Sequence, residues 1–576
     1  MEWSKSYETW LNHPTLDSKL KKELESYQEN KTLLEDSFYT SLEFGTAGMR
    51  GIIGAGTNRM NIYTVRQATK GLALFIENQG EDMKERGVAI AYDSRHMSKE
   101  FAMEAAKTLA VHGIPSYVFE DLRPTPELSF AVRHLKAAAG IMITASHNPA
   151  EYNGFKVYGE DGGQLPPKEA DELTSYVRSV SDILSIETMD ETEAVDKELL
   201  TILGKDLDRA YLDALKRVTI DPELINRQGK ELKIVFTPLH GTGKMLGEKA
   251  LQQAGFRNVF LVKEQADPDP DFSTIKSPNP EDEAAFELAF KKGREVGADI
   301  LIATDPDADR LGLAVRTAGE HYELLSGNQI ASLMIDYILK AHEKKGTLPS
   351  NSVMIKSIVS SELPSAIADK HGVETMDVLT GFKFIAEKIK EFEKTHSHTF
   401  MFGFEESYGY LVQPFVRDKD AIQALVMVAE MTAFYKEEGY SLFDTLQELY
   451  HEYGHYKEKT ISVTLEGQEG SKKIKELMTY LRENAPTEFG NIKVEVSEDF
   501  KKQIRTRFGE EESIDLPPAD VLKYKLADSS WIAIRPSGTE PKIKFYIAAN
   551  DDSGVEVEEK MKLFEQDIQK IVDKAK

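Results

Sequence analysis

Ile300-Leu301-Ile302-Ala303-Thr304-Asp305-Pro306-Asp307-Ala308-Asp309-Arg310 is the stretch from which the rest of the chain can be read. It opens on a short apolar run rich in branched side chains, the pattern of a strand buried on both faces. Three aspartates at alternate positions follow at once. In an extended segment alternate side chains share a face, so the three carboxylates can converge on one point. Converging carboxylates repel unless a cation lies among them, and hard oxygen donors suit Mg²⁺. A buried strand leading into such a loop puts the site at the strand's carboxyl end, where open α/β sheets keep their ligands. A solvated acidic turn is the plain alternative. A calcium EF-hand fails on position, because Arg310 stands where its glycine belongs and Arg316 where its final glutamate belongs.

The same rhythm extends in both directions. Val88–Ala91, Ser116–Phe119 and Gly140–Thr144 read as buried strands separated by amphipathic helical stretches. It resumes at Leu232–Phe236, Ile300–Ala303 and Val353–Ile355. Strands alternating with helices imply an α/β fold with mostly parallel sheets and crossover helices, here in three similar blocks. Residues 1–40 are charged and helix-prone, with Leu20, Leu24 and Tyr27 at helical spacing. Beyond about residue 455 the texture changes to that of a smaller α+β unit, with strands at Ile461–Leu465, Ile492–Val496, Ser530–Ile534 and Ile543–Ala548. A closing helix from about Val555 carries Val557, Met561, Phe564, Ile568 and Ile571 on one face. The expected domains are 1–205, 206–322, 323–454 and 455–576.

Composition narrows the function. A chain of 576 residues with 41% hydrophobic and 29% charged residues has ample material for several globular cores. No apolar run reaches the length of a membrane span. The start, Met1-Glu2-Trp3-Ser4-Lys5, lacks the basic and apolar regions of a secretory signal. Without cysteine, disulfides, thiol catalysis and thiolate metal sites are excluded, and a cytoplasmic protein is expected. A net charge of −26 argues against a nucleic-acid partner. It does not forbid a phosphorylated small molecule, provided cations are concentrated locally.

Three further loops carry chemistry. Thr144-Ala145-Ser146-His147-Asn148-Pro149 follows a strand and exposes a serine before a proline-fixed exit. Adjacent side chains of an extended loop point apart, so a Ser146–His147 catalytic pair is not expected, and Ser146 taken alone reads as a turn residue. Gly403-Phe404-Glu405-Glu406-Ser407-Tyr408-Gly409 sets a carboxylate and a hydroxyl two residues apart, a spacing suited to vicinal sugar hydroxyls; an ordinary turn is the alternative. Arg535-Pro536-Ser537-Gly538-Thr539-Glu540-Pro541-Lys542, with Lys544, is a dense set of phosphate donors and the cation cluster that the net charge requires. A polar hairpin is its alternative. Gly241-Thr242-Gly243-Lys244 and Gly54-Ala55-Gly56 do not complete a phosphate loop or a dinucleotide fingerprint and read as turns.

Taken in order, the four loops resemble those of the α-D-phosphohexomutase superfamily, one in each domain, over most of the chain. Phe44-Gly45-Thr46-Ala47-Gly48-Met49-Arg50-Gly51 and Thr380-Gly381-Phe382-Lys383 are most similar to its branch of bacterial phosphoglucomutases and phosphopentomutase-like enzymes. The resemblance implies a heart-shaped, four-domain molecule around one cleft, moving a phosphoryl group between two hydroxyls of one sugar. Ser146 would carry the phosphoryl group. Asp305, Asp307 and Asp309, with Ser146, would hold one Mg²⁺ per chain. Arg50, Lys156 and Lys419 would surround the transferring group, any of them a candidate for proton transfer, and Arg310 would contact it. Thr380, Gly381, Glu405, Ser407 and Lys419 would bind the sugar. Arg535, Ser537, Gly538, Thr539, Lys542 and Lys544 would grip the phosphate that is not reacting.

Glucose 1-phosphate and glucose 6-phosphate are the leading pair, with glucose 1,6-bisphosphate as intermediate and activator. The same chemistry on pentose or mannose phosphates comes next, then a non-catalytic sugar-phosphate sensor, then a phosphatase. A monomer or weak homodimer without nucleic-acid or membrane partners is expected. Phe404 stands where many relatives carry glycine, a departure beside the sugar-binding glutamate.

Overall fold

The first block is built on a six-stranded sheet: β1 (Met49–Ile52), β2 (Val88–Tyr92), β3 (Ser116–Phe119), β4 (Ala139–Ile143), β5 (Tyr152–Tyr158) and β6 (Leu200–Leu203). In this computed structural model, residues 2–45, 48–319, 321–465, 467–537 and 542–574 are described. The strand order is β1-β5-β4-β2-β3-β6, with β4, β2, β3 and β6 parallel and β5 antiparallel to both its neighbours, β1 and β4. The pleat sends alternate side chains to two separate cores. Val88, Ile90 and Tyr92 pack with Leu72, Ile76, Phe101 and Leu109, from the helices Ile62–Gln79 and Ser98–Val111. Ala89, Ala91 and Met142 pack with Leu128, Ala131 and Val132 of the helix Thr125–Leu135. Three α-helices, Glu2–Leu11, Ser18–Ser26 and Lys31–Phe38, precede the sheet, and Trp10, Leu24 and Phe38 pack against Tyr63.

The second block repeats the plan with β7 (Lys233–Thr237), β8 (Asn258–Leu261), β9 (Ile300–Thr304), β10 (Leu311–Arg316) and β11 (Tyr322–Leu324), ordered β11-β10-β9-β7-β8. Again three strands, β7, β8 and β9, are parallel, and β10 returns antiparallel to β9. The third contributes β12 (Ser352–Ser357) parallel to β13 (Glu374–Val378), and a hairpin of β14 (Thr399–Glu405) and β15 (Gly409–Leu411).

The last block is an antiparallel sheet of β16 (His455–Thr464), β17 (Glu488–Phe489), β18 (Ile492–Asp499), β19 (Ile504–Arg507), β20 (Glu510–Ser513), β21 (Leu522–Leu526), β22 (Trp531–Pro536) and β23 (Lys542–Asp551). Its core joins Ile532, Ile534, Phe545 and Ile547 to Leu477 and Leu481 of one helix and Val557, Met561, Phe564 and Ile568 of the closing helix Gly554–Asp573. No helix among the described residues is long and apolar enough to cross a membrane.

The chain divides into two compact units, Met1–Gly327 with Phe382–Ser441, and Asn328–Gly381 with Leu442–Lys576. The sheets of the first two blocks are less parallel than the sequence suggests, for one recurring reason. Each chemistry-bearing loop is the turn of an antiparallel hairpin: β4 to β5, β9 to β10, β14 to β15 and β22 to β23.

Candidate active site

In the first unit the Asp305–Arg310 loop is not extended. It turns, with Ala308 at φ 48°, and Asp305 Oδ1 accepts hydrogen bonds from the backbone N–H groups of Asp309 (3.1 Å) and Arg310 (3.0 Å). The premise of an extended segment is therefore corrected, because a carboxylate that caps its own loop needs the chain to fold back. The convergence nevertheless holds: one oxygen from each of Asp305, Asp307 and Asp309 lies within 4.8 Å of the other two, and all three residues are buried.

Packing fixes the loop from behind. Pro306 O accepts hydrogen bonds from Thr242 N (2.8 Å) and Thr242 Oγ1 (2.9 Å), and a Cβ on Gly241 would come within 2.3 Å of Pro306 Cα. The Gly241-Thr242-Gly243 turn thus supports the acidic loop.

Ser146 is 4% exposed, at the turn between β4 and β5, and adopts φ 52°. This left-handed conformation is uncommon for a residue with a Cβ. It aims Oγ at Asp305 Oδ2, to which it donates at 2.7 Å, while Ser146 N donates to Thr144 Oγ1 at 2.8 Å. It also brings His147 Nδ1 to 3.2 Å from Ser146 Oγ. The expectation that these adjacent side chains point apart fails, since the positive φ breaks the alternation of an extended strand. Burial first, then the charges of Arg310 and Arg50, hold the His147 imidazole well below its usual pKa.

Cations close in from four segments of the chain. Lys156, on β5, donates to Asp307 Oδ2 at 2.9 Å and lies 3.6 Å from Asp309 Oδ2. Lys419 lies 3.3 Å from Asp309 Oδ2 and 3.1 Å from Asp418 Oδ1. The side chains of Lys156 and Lys419 are only 10% and 9% exposed. Burial opposes their charge, but the carboxylates outweigh it: Asp307 and Asp309 raise Lys156, while Asp309, Asp418 and Glu405 raise Lys419. Both remain ammonium ions at neutral pH. Arg310 pairs with Glu281 at 2.8 Å and approaches Asp309 Oδ1 at 3.9 Å. Arg50, on β1, is exposed and donates to Asn148 Oδ1 at 2.8 Å, beside the Ser146 turn.

The carboxylates respond unequally. Burial, then the charges of Asp307 and Asp309, push Asp305 well above the usual range. Burial pushes Asp307 the same way, but Lys156 and the hydrogen bonds it receives hold it below. Asp307 Oδ1 and Asp309 Oδ1 are buried and accept no hydrogen bond. Two buried hard oxygens without donors, in one cluster with the Asp305 carboxylate, fit a small divalent cation.

Glu405, buried at the end of β14, adds its negative charge near Lys419 and Arg310. Ser407 lies in the turn that follows, and Tyr408 O then accepts from Leu311 N at 3.1 Å, joining this turn to the acidic loop.

The remaining expected site residues belong to the second unit. Thr380 and Gly381 follow β13, with Thr380 Oγ1 buried and accepting no partner and Gly381 at φ 123°. Arg535 and Lys544 are directly opposed across β22 and β23, and Ser537 N donates to Lys542 O at 2.7 Å. Like charges directly opposed on a sheet destabilise it, so an ordinary polar hairpin does not favour this pairing, whereas an anion-binding one does. Gly538 and Thr539 lie outside the described residues, as does Glu540.

Several residues with evident work at the site carry no signal in the sequence. Thr125, opening the helix Thr125–Leu135, donates from Oγ1 to Asp307 Oδ2 at 2.9 Å and from its N–H to Asp307 O at 2.9 Å. Asp418 accepts from Tyr158 Oη and Gln164 Nε2 at 2.9 and 3.1 Å, and Asp420 caps the helix Ala421–Glu437. Together they seat Lys419.

Known families match this chain block by block. Residues 41–183 match the phosphoglucomutase/phosphomannomutase alpha/beta/alpha domain I, 209–319 domain II, 326–453 domain III and 491–565 the C-terminal domain. A phosphoglucomutase of Staphylococcus haemolyticus (strain JCSC1435) is 41% identical over 531 residues, covering 91% of this chain and 93% of that protein. The chain belongs to the phosphoglucomutase/phosphomannomutase family. A second relative, a phosphoglucomutase of Staphylococcus epidermidis (strain ATCC 35984), is 40% identical over 545 residues, or 94% of this chain and 96% of that protein. Among solved structures, the pp63/parafusin phosphoglucomutase of Paramecium in its open form shares the fold of this family member. Its TM-score is 0.67 at 17% identity, covering 93% of this chain and 95% of that one.

Proposed function

We propose that the chain is a phosphoglucomutase, interconverting α-D-glucose 1-phosphate and α-D-glucose 6-phosphate through a phosphorylated Ser146 and glucose 1,6-bisphosphate. The observation that carries this reading is the contact of Ser146 Oγ with Asp305, 2.7 Å, inside a buried carboxylate triad ringed by Lys156, Lys419 and Arg310. The names of the relatives at about 40% identity support the choice of glucose.

Phosphate monoesters are among the most inert biological bonds, and their transfer is driven by positioning and charge neutralisation. Asp305, Asp307 and Asp309 would hold one Mg²⁺, which when bound neutralises charge on the transferring phosphoryl group. The left-handed turn presents Ser146 Oγ to the site. Lys156, Lys419, Arg310 and Arg50 supply positive charge to a phosphoserine carrying about −1.5 to −2. A sugar hydroxyl attacks phosphorus, the bond to Ser146 Oγ breaks, and in net terms the hydroxyl proton ends on Ser146 Oγ. The bisphosphate so formed returns its other phosphate to Ser146 after turning end for end. Glu405, Ser407, Thr380 and Gly381 read the sugar, and the Arg535 hairpin holds the distal phosphate at either end. The test is a coupled assay with Mg²⁺ against glucose, mannose and ribose 1-phosphates. Glucose 1-phosphate is expected to give the highest kcat/KM, and a higher value for either competitor would reassign the substrate.

Two residues give sharper tests. Losing a charge-assisted contact costs ~1.5–3 kcal/mol, so Arg535→Ala is expected to lower kcat/KM about 10–150-fold in both directions. Unchanged kcat/KM would reduce the hairpin to a surface turn. At Gly409 an added Cβ would lie 2.2 Å from Lys419 Cδ and 2.7 Å from Cγ. Gly409→Ala should therefore displace the ammonium from Asp309. Steady-state kinetics should show kcat/KM falling about 10–100-fold, with an overpacking cost of ~1–3 kcal/mol in thermal unfolding. Parent-like kinetics would mean that the seat of Lys419 does not matter.

A further inference from the structure

We infer that Arg95, fixed by Asp93, is a positioning residue that holds Ser146 in its reactive conformation; the inference rests on the reading of Ser146 as the phosphoryl carrier. Asp93 and Arg95 follow β2, and their side chains are fully buried, with Arg95 Nε 3.2 Å from Asp93 Oδ2. That contact is an ion pair, and the Nη donors of the guanidinium go to main-chain carbonyls of the β4–β5 turn. Nη2 donates to Ser146 O (2.6 Å) and Asn148 O (2.5 Å), and Nη1 to Pro149 O (2.7 Å) and Tyr152 O (3.1 Å). Its Cζ lies over the ring of Phe272, 5.0 Å from the centroid. A buried charge is costly unless paired and hydrogen-bonded, and this one satisfies both conditions at a single loop.

The same ion pair reaches the other arm of the hairpin. Asp93 Oδ1 accepts from Arg95 N (2.9 Å) and Ser98 Oγ (2.7 Å), and Ser98 Oγ accepts from Asn153 Nδ2 (2.9 Å). Asn153 opens the stretch of β5 that carries Lys156. One buried hub therefore sets both the nucleophile and a cation that faces the acidic triad.

The bond to Ser146 O acts where the backbone is least comfortable. Serine at φ 52° needs outside support, and a guanidinium fixing the peptide that follows supplies it. The planar fork is what allows one side chain to bridge carbonyls from Ser146 to Tyr152; a lysine ammonium is a point charge without that span. The hydrogen bonds of the Arg95 guanidinium go to the main chain of the turn, so it acts through Ser146.

The experiment uses full-length Arg95→Lys and Asp93→Asn, each beside the parent. Amide hydrogen exchange is read in peptides covering 144–155, and single-turnover phosphoryl transfer from phospho-Ser146 to glucose 6-phosphate is timed. In Arg95→Lys, exchange over 144–152 should accelerate about tenfold or more, with peptides from 542–574 unchanged. Transfer should slow about 10- to 100-fold, as expected for a displacement near 1 Å, while KM stays within about threefold. Parent-like exchange in the turn, or slowed transfer without faster exchange, overturns the inference. If Arg95→Lys does not fold, Asp93→Asn decides by the same readouts. If neither folds, Arg95 is a folding residue and the inference falls. Should the parent itself transfer no phosphoryl group, the reading of Ser146 fails, and exchange alone decides whether Arg95 holds the turn.

Discussion

Ser146→Ala should lower kcat for glucose 1-phosphate by about 10⁴-fold or more, because it removes the atom that carries the phosphoryl group. The structure makes this a clean experiment. Ser146 is 4% exposed, and its hydroxyl contacts Asp305 and His147, so alanine creates no clash and deletes little packing. Loss of one buried hydrogen bond is expected to cost about 1 kcal/mol of stability. Alanine meets the φ of 52° with the same Cβ as serine, so the turn itself should survive. Intact-mass spectrometry of the parent should show a fraction heavier by one phosphate, confined to the 140–156 peptide, and the variant should show none. Parent-like kcat in the alanine variant would remove the phosphoserine from the mechanism.

Asp307→Asn should be nearly as damaging, at about 10³-fold in kcat/KM, because it removes the carboxylate at the centre of the charge balance. Asp307 Oδ2 accepts from both Lys156 and Thr125, at 2.9 Å each, while its Oδ1 is buried and accepts nothing. An asparagine keeps the shape but leaves Lys156 with Asp309 alone, at 3.6 Å. Activity is not the only readout. A ligand that binds the folded state at 100 times its Kd stabilises it by about 2.7 kcal/mol. Saturating Mg²⁺ should therefore raise the Tm of the parent above its value in EDTA, and the shift should be largely lost in Asp307→Asn. An equal shift in both proteins would place the cation elsewhere.

The residues that could be found by reading along the chain are those whose chemistry is local. Asp305, Asp307 and Asp309 announce themselves by spacing and the strands β2, β4 and β9 by unbroken apolar runs, whereas Ser146 taken alone reads as a turn residue and is singled out only by the family resemblance. Their geometry was less legible than their identity. The alternation rule anticipated convergence of the aspartates through an extended segment, whereas the chain achieves it with a turn at Ala308. The same rule separated Ser146 from His147, and a positive φ brought them together.

Residues that work at a distance stayed hidden. Thr125 meets Asp307 across 182 positions, and alone it reads as the first residue of a helix. Arg95 and Asp93 look like ordinary surface charges until β2, β4 and β5 are paired. The hairpin of β19 and β20 was missed because Glu510–Ser513 is exposed throughout, so no apolar alternation marks it.

The most direct measurement follows the phosphoryl group itself. Enzyme phosphorylated by glucose 1,6-bisphosphate carrying ¹⁸O-labelled phosphate is mixed with excess unlabelled glucose 1-phosphate in Mg²⁺, quenched at short times, and the 140–156 peptide is weighed. The expected result is labelled phosphate on Ser146 alone at the start, replaced by unlabelled phosphate at least as fast as kcat while the label appears in the sugar phosphates. Phosphate on another residue, or labelled phosphate that stays on Ser146 through many turnovers, would contradict the account.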